Sequence, residues 1–154
     1  MYPRTLRMFS YFAALMVMLI PFSCKTTPFI PGEKKEQYIR FGNGGGFTGG
    51  VTAYYLTEKG DVYKEVDNTL TKLFTADAAF TKQMFAMPKI LNIRNKPYDN
   101  PGNRYFFIEV STETDQQKIV WGGDKIQIKE YETWYQNLMF MVKKENLNPD
   151  SPVK

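Results

Sequence analysis

The chain has no histidine among its 154 residues and only one cysteine. These two scarcities remove most familiar reaction chemistries. Ser-His-Asp and Cys-His nucleophilic arrangements both need an imidazole as base. Zinc sites of the usual kind need several His or Cys ligands. A lone thiol cannot close a disulfide within the chain. The Gly-Lys-Ser/Thr phosphate loop is missing, as are the His-Arg-Asp and Asp-Phe-Gly signatures of protein kinases. Neither charge sign dominates: 20 basic residues stand against 16 acidic ones, a formal net charge of +4. That balance offers no electrostatic footprint for nucleic acid. Neither a metal nor a cofactor is expected.

Long hydrophobic runs are also missing. The longest at the N-terminus covers residues 11–20 (Tyr-Phe-Ala-Ala-Leu-Met-Val-Met-Leu-Ile), about half of the roughly 20 residues that span a bilayer as a helix. Arg4 and Arg7 precede it, and Pro21-Phe22-Ser23 lead from it into Cys24. A basic stretch, a short apolar stretch and a small residue before a cleavage point are the order of a secretory signal. With Leu19-Ile20 on the apolar side and Ser23 just before Cys24, the segment resembles a bacterial lipoprotein signal of the relaxed kind common in Bacteroidota. The resemblance implies cleavage before Cys24, acylation of its thiol, and a bilayer as partner through that lipid. An ordinary signal is the alternative, and it leaves the only cysteine of an exported chain without a purpose. Loss of residues 1–23 leaves 131 residues, with 18 basic against 16 acidic, or +2. Lys25 follows the cysteine with no acidic cluster after it. By resemblance to lipoprotein sorting signals, this implies outer-membrane attachment facing the periplasm.

The mature chain divides into three parts. Residues 24–36 hold two prolines, a glycine and a charged end with no periodic apolar face, the composition of a flexible tether. Thirteen such residues reach about 20 Å. Residues 146–154 read as a disordered tail. The span 37–145 suffices for one domain with one core.

Within that span, 37–41 reads as a strand running into a glycine-rich turn. Residues 51–56 and 61–66 flank Thr57-Glu58-Lys59-Gly60 as a hairpin. Thr75 is placed to cap a helix on which Phe80, Met84, Met87 and Leu91 share a face, and Pro88 predicts its end or a kink near Met87. Residues 92–103 are turn-rich. Residues 104–110 and 118–121 form a second hairpin, rich in aromatic and β-branched side chains. Tyr131, Trp134, Tyr135, Leu138 and Val142 define the apolar stripe of a last helix over 128–144. The order β-β-β-α-β-β-α predicts an α+β domain, an antiparallel sheet built from hairpins and covered by two helices.

Three features carry the functional expectations. The first is Phe41-Gly42-Asn43-Gly44-Gly45-Gly46-Phe47-Thr48-Gly49-Gly50-Val51, with six glycines in nine positions. Its Gly44-x-Gly46-x-x-Gly49 spacing matches dinucleotide and kinase glycine loops. However, strand residues follow where a dinucleotide fold requires a helix, and the kinase signatures are missing. Two readings stand: a structural crossing with Phe47 in the core, or a binding loop of Gly44, Gly45, Gly46, Phe47 and Thr48. The segment is similar to ones in small Bacteroidota envelope proteins, a likeness of about ten residues that implies no activity. The second feature is the aromatic content, 16% of the chain. On strands, alternate aromatics point away from the core, and two readings stand: cross-strand pairing with core filling, the commoner one, or an amphipathic binding face. Tyr55, Tyr105 and Trp121 are the candidate binding face. The third is Glu109, in an apolar strand: burial there would raise its pKa and suit it to acid–base work, whereas the commoner reading is an exposed strand face. Glu130 and Glu132 do not share a helix face.

Taken together, these residues read as a non-enzymatic envelope lipoprotein that binds a protein partner or serves as an accessory module. The alternative is a carbohydrate- or peptidoglycan-binding module using exposed Tyr and Trp. Growth with a labelled fatty acid should tag the wild-type chain and not Cys24→Ser; equal labelling of both would remove the lipid anchor.

Overall fold

Alternation of side chains along an extended backbone sets the layers of this molecule. In the computed structural model, which describes residues 29–33, 36–47, 49–122 and 129–146, the chain divides into two units, Met1–Ile30 and Pro31–Lys154. All elements below belong to the second. Cys24, with most of the tether, and the tail beyond Asn146 lie outside the described residues.

Strand β1 (Tyr38–Gly45) sends Ile39 and Phe41 to one side and Tyr38 and Arg40 to the other. Strand β2 (Val51–Thr57) pairs with it antiparallel, with Tyr54 and Leu56 beside Phe41 and Ile39. Strand β3 (Asp61–Val66) follows after Gly60, whose positive φ closes the turn. Its Val62 lies opposite Leu56. A further strand, β4 (Thr69–Thr75), returns along β3. The expected order lacked it. Asp67 and Asn68, with φ of 48° and 61°, make the two-residue turn between them. Asp and Asn are the residues besides Gly that accept this conformation.

Helix α1 (Ala78–Ile90) starts two residues later than the Thr75 cap would place it. Asp77 is the cap: its Oδ1 accepts from the amides of Ala79 (2.9 Å) and Phe80 (3.1 Å). Thr75 instead closes β4, and its hydroxyl donates to Asp61 (2.7 Å). Pro88 does not end the helix. It sits in the last turn, where the one amide bond it forfeits is that to the Met84 carbonyl. The helix runs on until Leu91 N–H donates to Met87 (2.8 Å).

A short 3-10 turn (Ile93–Asn95) leads to β5 (Tyr98–Asn100), a three-residue strand inside the region expected to be turn-rich. It pairs parallel with β7 (Gln116–Gly122), which in turn pairs antiparallel with β6 (Arg104–Ser111). Helix α2 (Lys129–Asn146) ends the described chain. The sheet has seven strands in the order β4-β3-β2-β1-β6-β7-β5, mostly antiparallel, so the protein is an α+β fold.

Both helices pack on one face of this sheet. Ile39, Phe41, Leu56, Val62, Ile108 and Ile119 from the sheet meet Met84 of α1 and Tyr131, Trp134, Leu138 and Val142 of α2 in a single core. The stripe on α2 is the one expected from its spacing. Tyr131 is fully buried, and its hydroxyl donates to the Lys96 carbonyl (2.9 Å). Acidic Glu130 and Glu132 in the first turn and Lys143 and Lys144 in the last suit the helix dipole.

Asp77→Ala should lower the unfolding free energy by about 1 kcal/mol in a denaturant titration. An unmoved midpoint would show that the Asp77 side chain does not cap α1.

Candidate functional site

β1 does not stop where its apolar residues stop. It continues through Gly42, Asn43, Gly44 and Gly45, paired on both sides, with β2 and with β6. The first half of the glycine run is therefore sheet, and 46–50 connect the β1–β2 hairpin. At Gly44 a side chain would meet the Tyr105 ring, whose Oη lies 2.6 Å from where a Cβ would sit. At Gly45 the backbone has φ +85°, and a Cβ would collide with the Asn103 carbonyl oxygen. Gly46 N–H donates to that same carbonyl (2.7 Å). The glycines thus let the hairpin press against the turn that leads from β5 into β6.

Beyond this anchor stands Phe47, fully exposed; of the two readings of the run, the one with Phe47 in the core does not describe its position. Thr48 lies outside the described residues. At the base of the hairpin is a cleft of about 320 Å³ lined by Asn43, Gly44, Gly45, Gly50, Arg104, Tyr105 and Phe106. Phe106 is 39% exposed on the cleft side. Behind it lie Trp121 (ring centroids 5.9 Å apart) and Tyr135 (5.4 Å), which fix its ring in place. Burial pushes the Tyr135 hydroxyl pKa upward against the effect of its hydrogen bond with Asn43. Asn43, on the cleft wall, is thereby tied to α2.

Tyr55, Tyr105 and Trp121 do not form one face. Trp121 points to the helices, is 6% exposed, and stands edge-on to Tyr135 at 5.4 Å. Tyr55 and Tyr105 occupy the opposite side of the sheet, and Tyr55 is buried. The strand alternation that placed aromatics on both sides is real, but it also separates these three.

On the face opposite the helices, Arg40 is the hub. Its guanidinium pairs with Glu65 (3.1 Å) and Glu109 (3.7 Å) and lies over the rings of Phe107 (5.0 Å) and Tyr55 (5.7 Å). Tyr55 donates to Glu65 (3.1 Å), and Gln116 donates to Glu109 (2.6 Å). Lys118 covers the other side of Phe107 (5.7 Å). Burial, reinforced by Glu65, pushes the Tyr55 hydroxyl up to about 12, against the pull of Arg40. Tyr55 therefore stays a neutral donor throughout the physiological range. Burial opposes the charge of Arg40, yet Tyr55, Glu65 and Glu109 together hold its pKa above the ordinary value. Glu109 is thus engaged by Arg40 and Gln116 in the packing of this face. Among the described residues, no group of three or more His, Cys, Asp or Glu side chains is placed to hold a metal ion.

Arg104 and Phe106 carried no signal in the sequence that pointed to the glycine run, in which Asn43 itself lies. They reach it only through the antiparallel pairing of β1 with β6, which sets Gly45 against Arg104 and Asn43 against Phe106. Comparison of the chain with protein-family models found no match, and comparison with curated proteins found no similar sequence. The site's own geometry therefore carries the functional reading.

Gly45→Val should cost roughly 2–3 kcal/mol, from the positive φ and the collision with Asn103 together. The check is a shifted denaturation midpoint. An unshifted one would mean that the hairpin is not held against the β5–β6 turn.

Proposed function

We propose that the chain is a non-enzymatic, membrane-anchored envelope lipoprotein that binds a protein partner with the tip of its β1–β2 hairpin. One observation carries this reading: a large aromatic side chain, Phe47, stands fully exposed on a hairpin whose base is packed and hydrogen-bonded. An exposed phenyl ring gains nothing from its place in the fold. Burying its roughly 200 Å² on a partner is worth about 5 kcal/mol before ordering costs. Aromatic side chains that fill a partner's pocket are common interface hot spots.

The remaining parts of the reading have their own support. The basic, apolar, small-residue order leading into Cys24 supports a lipid anchor in the outer membrane facing the periplasm. No helix among the described residues is long and apolar enough to cross a membrane. A role without catalysis is favoured by the lack of histidine and by the engagement of Glu65 and Glu109 on Arg40. The alternative, a glycan-binding module using exposed Tyr and Trp, has less support, because Trp121 is covered by Tyr135.

Crosslinking and affinity capture of the tagged full-length chain from its native envelope, beside Phe47→Ser, tests the proposal. One reproducible partner, lost in a variant of unchanged melting temperature, is expected. Equal recovery with Phe47→Ser would place the interface elsewhere on the molecule.

A further inference from the structure

The cleft at the base of the β1–β2 hairpin is lined by a cation, Arg104, with no counter-charge among the described residues. Among the described residues the arginines are Arg40, Arg94 and Arg104. Arg40 is bracketed by Glu65 and Glu109, and Arg94 pairs with Asp115 at 2.8 Å. Arg104 has no carboxylate partner among the described residues. It is exposed, and its side chain runs along the bare backbone of Gly46, where a Cβ would lie 3.7 Å from Nε. A side chain at position 46 would cover this cation, and glycine leaves it open toward the cleft.

Two residues further along β6 stands Phe106. Residues two apart on a strand share a face at a separation of about 7 Å. The cleft therefore presents, side by side, a guanidinium fork and an aromatic surface held from behind by Trp121 and Tyr135. Guanidinium planes bind carboxylates in a bidentate, geometrically selective manner. Aromatic rings prefer an offset or edge-on ring as partner. Neither group alone selects a ligand, but together at this spacing they select a carboxylate held next to an aromatic ring.

We infer that the cleft is the docking site for a partner-protein segment in which a carboxylate adjoins an aromatic side chain. The carboxylate is received by Arg104, and the ring lies against Phe106 under the Phe47 tip. The inference rests on the reading of this hairpin as a protein-binding site, and it adds the chemistry of the partner.

The test uses three small probes on the isotopically labelled full-length chain, followed by amide shifts at Gly44, Gly45, Gly46, Arg104 and Phe106. N-acetylphenylalanine carries both features, its amide lacks the charge, and N-acetylglycine lacks the ring. N-acetylphenylalanine should bind about tenfold more tightly than either of the others, the worth of one charge-assisted contact. In Arg104→Gln it should fall to the level of the amide, with the melting temperature unchanged. Equal affinity for all three probes, no shift at the cleft with any of them, or undiminished binding by Arg104→Gln would overturn the inference. Envelope capture separates this failure from that of the broader reading. A partner lost in Phe47→Ser but fully retained in Arg104→Gln leaves the hairpin as the binding site and removes the acidic, aromatic segment. A partner retained by both variants removes both.

Discussion

The pairing of β1 on both its edges is the constraint on which the rest of this structure depends. β1 is the central strand of seven. Its first half carries Ile39 and Phe41 into the helical core and Arg40 to the other side, where it gathers Glu65, Glu109, Tyr55 and Phe107. Its second half is glycine-rich, so neighbouring groups close over it. The Tyr105 ring crosses Gly44, and the Asn103 carbonyl approaches Gly45. One ladder of backbone hydrogen bonds thus organises a hydrophobic layer, a charged and aromatic layer, and a protruding hairpin.

The two faces of the sheet are stabilised differently. The helix-covered face excludes water from aliphatic and aromatic side chains, a term roughly proportional to area. The opposite face uses a cation set between two carboxylates and two rings. A half-buried arginine of this kind contributes chiefly through geometry, because Coulomb gain and desolvation largely cancel. It fixes the positions of strands that come from distant parts of the chain, since Arg40, Glu65 and Glu109 belong to β1, β3 and β6. At one edge of the sheet, β4 carries Lys72, which reaches Asp61 at 2.7 Å. A charge on an edge strand discourages further strand addition. The hairpin that follows β1, by contrast, carries an exposed aromatic, Phe47.

Much of the fold was legible along the chain, and the exceptions have particular causes. The stripe on α2 was readable because a helix buries residues at a fixed sequence period, which needs no knowledge of the partner. The hairpin joining β2 to β3 announced itself through Gly60. β4 was not recognised because its turn is Asp67-Asn68 without a glycine, and its residues alternate weakly. Thr75 and Asp77 are both capping residues, and only the strand that claims Thr75 decides between them. Pro88 predicted an end or a kink near Met87, whereas the helix runs on to Ile90, because a proline in the last turn costs it little. Within the candidate site, the glycine run and Phe47 were conspicuous in composition. Arg104 and Phe106, nearly sixty positions away, were not.

By itself, the sequence determined the chemistry closed to this protein, since the lack of histidine and the single cysteine hold in any fold. It also determined the α+β class and the residues of the helical stripe. These follow from local composition and local period. Tertiary structure alone decided that Phe47 projects, that Trp121 is covered while Tyr55 and Tyr105 lie on the other side, and that Arg104 stands beside an aromatic wall without a counter-charge among the described residues. Each of these depends on register between strands remote in sequence. A shift of one residue in β1 against β6 would turn every side chain of a strand to the opposite face.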